Sequence, residues 1–365
     1  MQPRQEAGPS TRYATSEGLN LAYQVLGEGP GDIAMVPGFI SHIEFAWHEP
    51  LCARFLRSLS DFGRLIAFDK RGMGQSDRDP HDLAPTMQQR CNDVLAVLDA
   101  AASDKACLLA WSEGGPTAIR VATMAPERVS GLILIGTAAR FASAVDYAHG
   151  LPPFVVTEFI ATLQQLWGSG VALELYAPTL ADSPATRKWW ATYQRLAATP
   201  GAVAASLRMQ LDVDVRDLLP EVTVPTLVIH ETRDMVIPVE AGRYLAEQIP
   251  GARIAEIDGH DHMYWVNHQA AKLSAIRDLL DEATSPRNTR TRRRRPVHGW
   301  PSLTETELTV AELVATGMTN PEIAQRLVVS PRTVQSHVAH ILQKLGKSRR
   351  TEIAAAVTER ATEHR

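Results

Sequence analysis

Long apolar runs are missing from this 365-residue chain. No stretch approaches the ~20 consecutive apolar residues that a membrane-crossing helix needs. Residues 1–16 hold no apolar core, so no secretory signal is expected there. Cysteine is scarce. Cys52, Cys91 and Cys107 are odd in number and lack both CxxC and metal-ligand spacing. That pattern argues against a disulfide scaffold and a metal site, and it predicts buried free thiols in a reducing compartment. The expected location is the cytoplasm, and no cofactor or metal is expected.

What is there is unevenly charged. Residues 284–365 carry 14 Lys and Arg against 7 Asp and Glu, whereas residues 1–283 carry 23 against 34. An acidic body with a basic tail implies that only the tail meets a polyanion. The length suits two or three domains.

The most informative stretch is Leu108-Leu109-Ala110-Trp111-Ser112-Glu113-Gly114-Gly115-Pro116. A buried strand (106–110) stops at a serine, and a helix (116–124) follows. This is the strand–nucleophile–helix layout of G-x-S-x-G with Ala110 in place of the first glycine. Small residues two before and two after the serine are expected where a strained turn leaves almost no room. Such a turn lifts the Ser112 hydroxyl clear of the sheet and points the Glu113 backbone N–H into the same space.

Around this stretch strands alternate with helices. A hairpin spans 13–25, turning at Ser16-Glu17-Gly18. Strand 33–36 ends at Pro37-Gly38-Phe39, where the Phe39 N–H is a second candidate oxyanion donor. Helix 49–62 precedes strand 64–69. The loop after it, with Gly72 and Gly74, lacks the third glycine and the helix of a phosphate cradle. Helix 86–102 and strand 131–135 complete the first half. Such alternation implies a mostly parallel sheet covered on both faces. Residues 140–216 break the pattern with helical segments bearing Trp167, Trp189 and Trp190. They read as a lid whose bulky residues pack within it or line an apolar pocket. Strand 224–230, a helix to about 248, strand 252–257 and helix 270–282 follow.

The loops at strand ends offer Ser112, then Asp234, then His262. This is the Ser–acid–His order of a triad in which the imidazole takes the serine proton and the carboxylate fixes its tautomer. Asp234 also suits a helix cap, and His260 is the alternative base. Residues 12–283 thus resemble an α/β-hydrolase domain. Val36-Pro37-Gly38-Phe39, Phe68-Asp69-Lys70-Arg71-Gly72, Ser112-Glu113-Gly114-Gly115-Pro116 and Gly259-His260-Asp261-His262 resemble a bacterial subgroup of that fold. In it the hydrolase-like domain is fused to a signalling output such as a nucleotide cyclase or a DNA-binding domain. The resemblance implies the triad Ser112, Asp234 and His262 and the oxyanion donors Phe39 and Glu113. Trp111 and the extra His260 depart from its pattern.

Residues 284–300, with Arg287, Arg290 and Arg292 to Arg295, read as a basic linker, either a solvated spacer or an arm on DNA phosphates. In residues 301–362, Thr304-x-x-Glu307 reads as a capping box and Gly317 as a helix stop. Asn320-Pro321 and Ser330-Pro331 start two further helices, the second running to 345 and stopped by Gly346. Val334, Val338, Ile341 and Leu345 form its apolar stripe. The opposite face carries Arg332, Gln335, Ser336, Ala339, His340 and Gln343. Gln335 suits adenine, Ser336 several base edges and Ala339 a thymine methyl, while Arg332, Lys344 and Lys347 suit phosphates. This is a helix-turn-helix.

The segment resembles the C-terminal domain of LuxR-type regulators through Leu303-Thr304, Thr319-Asn320-x-Glu322-Ile323-Ala324, Val329-Ser330-x-Arg332-Thr333-Val334-x-x-His337 and Lys344-Leu345-Gly346. Thr306 stands where that family usually has Arg. The resemblance implies binding to double-stranded DNA, with Thr319, Asn320, Glu322, Thr333, Val334 and His337 joining the set above. It also implies a homodimer on a pseudo-palindromic site, paired through helix 350–357, and hence association with the nucleoid.

Two functions fit the sequence. One is a transcription regulator sensing a small apolar or ester- or lactone-type ligand. The other is a working serine hydrolase with a DNA-binding tail. No membrane partner is expected.

Overall fold

A computed structural model describes residues 8–79, 84–284, 300, 303, 305–327, 331–347 and 349–363. The chain divides into two units, Met1–Ser285 and Pro286–Arg365.

In the first unit the described residues build an eight-stranded sheet. The strands are β1 (Arg12–Ser16), β2 (Leu19–Leu26), β3 (Asp32–Val36), β4 (Arg64–Phe68), β5 (Ala106–Trp111), β6 (Val129–Ile135), β7 (Thr226–Glu231) and β8 (Arg253–Ile257). Their spatial order is β1-β2-β4-β3-β5-β6-β7-β8. β2 pairs antiparallel with β1 and β4, and every other pairing is parallel. The β1–β2 hairpin turns through Glu17 and Gly18, both at positive φ, the backbone that a tight two-residue loop requires.

The central strands are buried on both faces, so they read as continuous apolar runs. Ile33, Leu65, Leu109, Ile133 and Ile229 pack on one face. Ala34, Ile66, Leu108, Leu132 and Val228 pack on the other. Helices α1 (Ile43–Ala46), α2 (Pro50–Ser60), α3 (Met87–Ala100), α4 (Gly114–Met124), α9 (Val239–Gln248) and α10 (Gln269–Thr284) accompany the sheet. Each boundary has a local cause. Thr86 and Gln89 make a reciprocal capping box on α3, and the Glu49 carboxylate caps α2 at Pro50.

The chain between β6 and β7 is helical, as expected: α5 (Pro153–Leu166), α6 (Leu173–Tyr176), α7 (Pro184–Ala197) and α8 (Pro200–Leu211). Cys52, Cys91 and Cys107 are free and buried, and burial pushes each thiol pKa up. Gly74 sits at positive φ against the Asp69 carboxylate, and its N–H donates to the Ala197 carbonyl. The Gly72–Gly74 loop is thus a structural turn, with no phosphate cradle. No helix among the described residues is long and apolar enough to cross a membrane.

The second unit holds α11 (Glu305–Ala315), α12 (Asn320–Leu327), α13 (Pro331–Leu345) and α14 (Arg350–Glu363) around a core of Val310, Ile323, Val334, Ile341 and Ile353. Gly317 and Gly346, at positive φ, stop α11 and α13.

Candidate active site and DNA-binding unit

The site is built at the C-terminal ends of β5, β6 and β7. Ser112 follows β5 directly and holds a positive φ of 51°. A non-glycine residue there is strained, and the neighbours enforce it. The Ser112 N–H donates to the Ile135 carbonyl at 3.0 Å, and the Thr137 hydroxyl donates to the Ser112 carbonyl at 2.6 Å. Gly114 and Gly115 begin α4, two residues earlier than the sequence suggested. A Cβ on Gly114 would strike the Val36 carbonyl, and one on Gly115 would strike the Thr137 side chain. The crowding at position 114 therefore comes from β3 next door.

The three predicted triad residues meet. His262 Nε2 lies 2.9 Å from Ser112 Oγ, and His262 Nδ1 lies 2.7 Å from Asp234 Oδ2. Asp234 Oδ1 accepts from the N–H groups of Val236 (2.8 Å) and Ile237 (3.1 Å). One oxygen thus orders the loop and the other orients the imidazole. Burial alone pushes the Asp234 carboxyl up, but His262 beside it prevails and holds it below the usual carboxylate range. His230 stands beneath, its Nε2 2.8 Å from the Ile237 carbonyl, and burial lowers its pKa. The loop bearing His262 is pinned from several sides. The Asp261 N–H donates to Glu231 Oε2 at 2.8 Å, and Glu231 is itself paired with buried Lys272 at 2.7 Å. His260 is half-buried and takes no part in these contacts.

Trp111 has a use that sequence did not reveal. Its indole N–H donates to the His262 carbonyl at 3.0 Å, and its ring packs where a Cβ on Gly38 would otherwise lie. The bulky residue before the serine thus helps hold the His262 loop. Replacing it, Trp111→Phe, removes one hydrogen bond of about 1 kcal/mol. We expect the rate of Ser112 acylation to fall about fivefold, read as the labelling rate with a fluorophosphonate. An unchanged rate would remove Trp111 from this role.

The two candidate oxyanion donors lie at the same cavity. The N–H groups of Phe39 and Glu113 enter no hydrogen bond among the described residues, and both residues wall the cavity above Ser112. That cavity is lined by Phe141, Phe159, Tyr176, Leu207 and Val236 among others. Trp189 and Trp190 do not reach it. They line a neighbouring cavity with Trp111, Tyr193 and Trp265.

The Glu113 side chain is a second residue whose role was missed. It is buried between Lys70 (3.2 Å) and Arg90, and it accepts from the Ser206 hydroxyl of α8 at 3.2 Å. Burial pushes its carboxyl up, yet the two cations prevail and bring it down to about 2. Burial lowers Lys70 to about 8, against the pull of Glu113. Lys70 Nζ also donates to the Phe39 carbonyl at 3.0 Å, so one lysine braces the segments of both candidate donors. The helical segment is tied to the histidine loop as well. Asp261 accepts from the Thr179 N–H (3.1 Å) and hydroxyl (2.8 Å), and the Met263 N–H donates to the Tyr176 carbonyl at 2.9 Å.

In the second unit α12 and α13 follow one another as the sequence suggested, and Gln335 stands exposed on α13. Val334 requires correction. It is fully buried in the core, so it holds the helix in place and does not reach DNA. Thr319 rather than Asn320 precedes α12, and Glu322 Oε2 accepts from the Thr319 N–H (2.6 Å) and hydroxyl (2.8 Å). Asn320 Oδ1 accepts from Arg350 at 2.6 Å, joining α12 to α14. His337 is half-buried. Thr304, residues 285–299 and 328–330, and the side chains of Arg332, Thr333, Ser336, Ala339, His340 and Gln343 lie outside the described residues.

Comparison with known proteins agrees with this division. Residues 33–276 match the alpha/beta hydrolase family, and residues 301–357 match bacterial regulatory proteins of the luxR family. A pimeloyl-[acyl-carrier protein] methyl ester esterase of Vibrio campbellii is 28% identical over 269 residues, covering 71% of this chain and 98% of the relative. An esterase from a Rhodococcus species is 27% identical, with a TM-score of 0.58 over 75% of this chain and 99% of that one. An esterase from Exiguobacterium antarcticum, 23% identical, shares the fold with a TM-score of 0.65 over 75% of this chain and all of the other (100%). This chain belongs to the alpha/beta hydrolase family and carries a luxR-family domain at its C-terminal end.

Proposed function

We propose that this protein is a DNA-binding transcription regulator whose hydrolase-fold unit admits a small, mainly apolar, ester- or lactone-type ligand to Ser112. The observation that carries the reading is one chain joining an apolar cavity over an ordered serine to a luxR-family reader of DNA. The helices between β6 and β7 act as the lid. Ligand binding biases lid position and the pairing of two copies, and so the spacing of their DNA heads. The test is operator binding by the full chain with and without short-chain esters and lactones. An affinity that no such compound shifts would overturn sensing.

On α13, exposed Gln335 is our candidate for base readout. Gln335→Ala should cost about 1–3 kcal/mol of discrimination at one base pair, while low-salt non-specific binding persists. A DNA-binding profile unchanged at every position would exclude Gln335 from readout.

A second reading, a working serine hydrolase, is favoured by the hydrogen bonds from Asp234 through His262 to Ser112. It coexists with the first if slow cleavage clears the signal. The relatives named as esterases support an ester as the bond attacked.

A further inference from the structure

The wall over Ser112 is mostly hydrocarbon, and besides Ser112 the side chains with polar groups in it are Tyr176, Glu113 and Gln210. Glu113 Oε1 is taken up by Lys70, Arg90 and Ser206, but Glu113 Oε2 is buried without a hydrogen-bond partner. Gln210, on α8, is 4% exposed. Its amide lies near enough to Glu113 to help keep that carboxylate ionised, yet neither its Nε2 nor its Oε1 completes a hydrogen bond.

A buried amide with both ends unmet is rare and unfavourable. The same lid shows the ordinary solution. Gln194, on α7, is fully buried, and its Oε1 accepts from Gly168 (3.2 Å) and Gly170 (3.1 Å) while its Nε2 donates to Val171 at 3.0 Å. The fold can therefore satisfy a structural glutamine, and at 210 it leaves one buried and unpaired in the wall of the site.

We propose that Gln210 is a specificity-determining residue that reads an amide in the acyl part of the molecule presented to Ser112. This rests on the reading of the Ser112 cavity as an ester site. The ligand carbonyl accepts from Gln210 Nε2, and the ligand N–H donates to Gln210 Oε1 or to Glu113 Oε2. Other groups fit less well. Hydrocarbon leaves all three atoms unmet. A carboxylate brings negative charge against Glu113. An ammonium offers nothing to Nε2. A hydroxyl offers donor and acceptor on one atom, whereas the amide spreads them as the site does.

The test uses the full chain and p-nitrophenyl esters of N-acylglycine and N-acyl-β-alanine, which set the amide at two distances. Each is paired with the all-carbon ester of equal length. We expect kcat/KM to favour one amide ester over its carbon partner by about tenfold or more. In Gln210→Met, which keeps length and loses the amide, that preference should collapse toward one. Matched ketones, measured for Kd by displacement of a fluorescent ligand, repeat the comparison without turnover. Equal Kd values for amide and carbon ketones in the wild type, or a preference that survives Gln210→Met, would overturn the proposal. Failure of the ester-site reading looks different: Ser112 then takes no fluorophosphonate and no ester is cut, while the ketone ratio still reports on Gln210.

Discussion

Replacing Ser112 by alanine abolishes labelling by a fluorophosphonate and lowers kcat/KM on p-nitrophenyl esters by a factor of about 10⁴ or more. The expectation follows from the geometry. In the proposed hydrolase His262 takes the proton of this hydroxyl, 2.9 Å from its Nε2, and among the described residues no other side-chain hydroxyl hydrogen-bonds that imidazole. Residual rate would then come from the proposed oxyanion donors and binding alone. Ser112→Gly makes the same chemical deletion and also releases the strain of a positive φ. Its stability should exceed that of Ser112→Ala by about 1 kcal/mol. Mass spectrometry of the labelled protein gives the first result, and thermal melts give the second. Label found on another residue, or full labelling of the alanine variant, would end the serine assignment. The response of DNA binding in Ser112→Ala also separates sensing from turnover. A ligand that still shifts affinity acts by occupancy, and one that no longer does acts through acylation.

Glu113→Gln is the substitution with the largest expected effect on stability. It leaves Lys70 and Arg90 buried without their counter-charge. Breaking a buried pair by deleting one partner costs about 3–5 kcal/mol, equivalent here to a drop in Tm of roughly 10 °C. The pH dependence carries a definite sign. Because the folded-state pKa lies near 2, below the ordinary value of 4.5, the carboxylate's stabilisation is fully present above about pH 4.5 and fades as pH falls toward 2. The gap in Tm between wild type and variant should therefore be widest near neutrality and close across that acid window. A gap of constant size would mean that packing, not charge, explains the loss. The Glu113 N–H remains in the variant, so any fall in acylation rate reports on how far the buried ions steady the oxyanion segment.

Much of this was legible before any coordinates. The elbow, the order serine, acid, histidine and the helix-turn-helix each sit in short, local patterns with a physical reason for their spacing. The alternation of strands and helices did the rest, since period and apolar content are local quantities. What sequence hid was tertiary. Lys70, Arg90 and Glu113 stand far apart in number, and each reads as an ordinary surface charge until the sheet brings them together. Trp111 looked like an obstacle because a residue's neighbours in space are not its neighbours in sequence. Trp189 and Trp190 were known to be bulky and apolar, but which of two adjoining cavities they wall depends on how the helices between β6 and β7 cross. Val334 belongs to both a family pattern and an apolar stripe, and burial assigns it to the stripe.

The bonds that fasten Tyr176 and Thr179 to the stretch 261–263 have a mechanical corollary. The far side of the same helical segment is fastened too, since the Ser206 hydroxyl of α8 donates to Glu113 at 3.2 Å and accepts from Arg90 at 3.0 Å. One tie thus ends on the stretch that bears the imidazole and the other on the residue after the serine, so strain applied to these helices is felt at both.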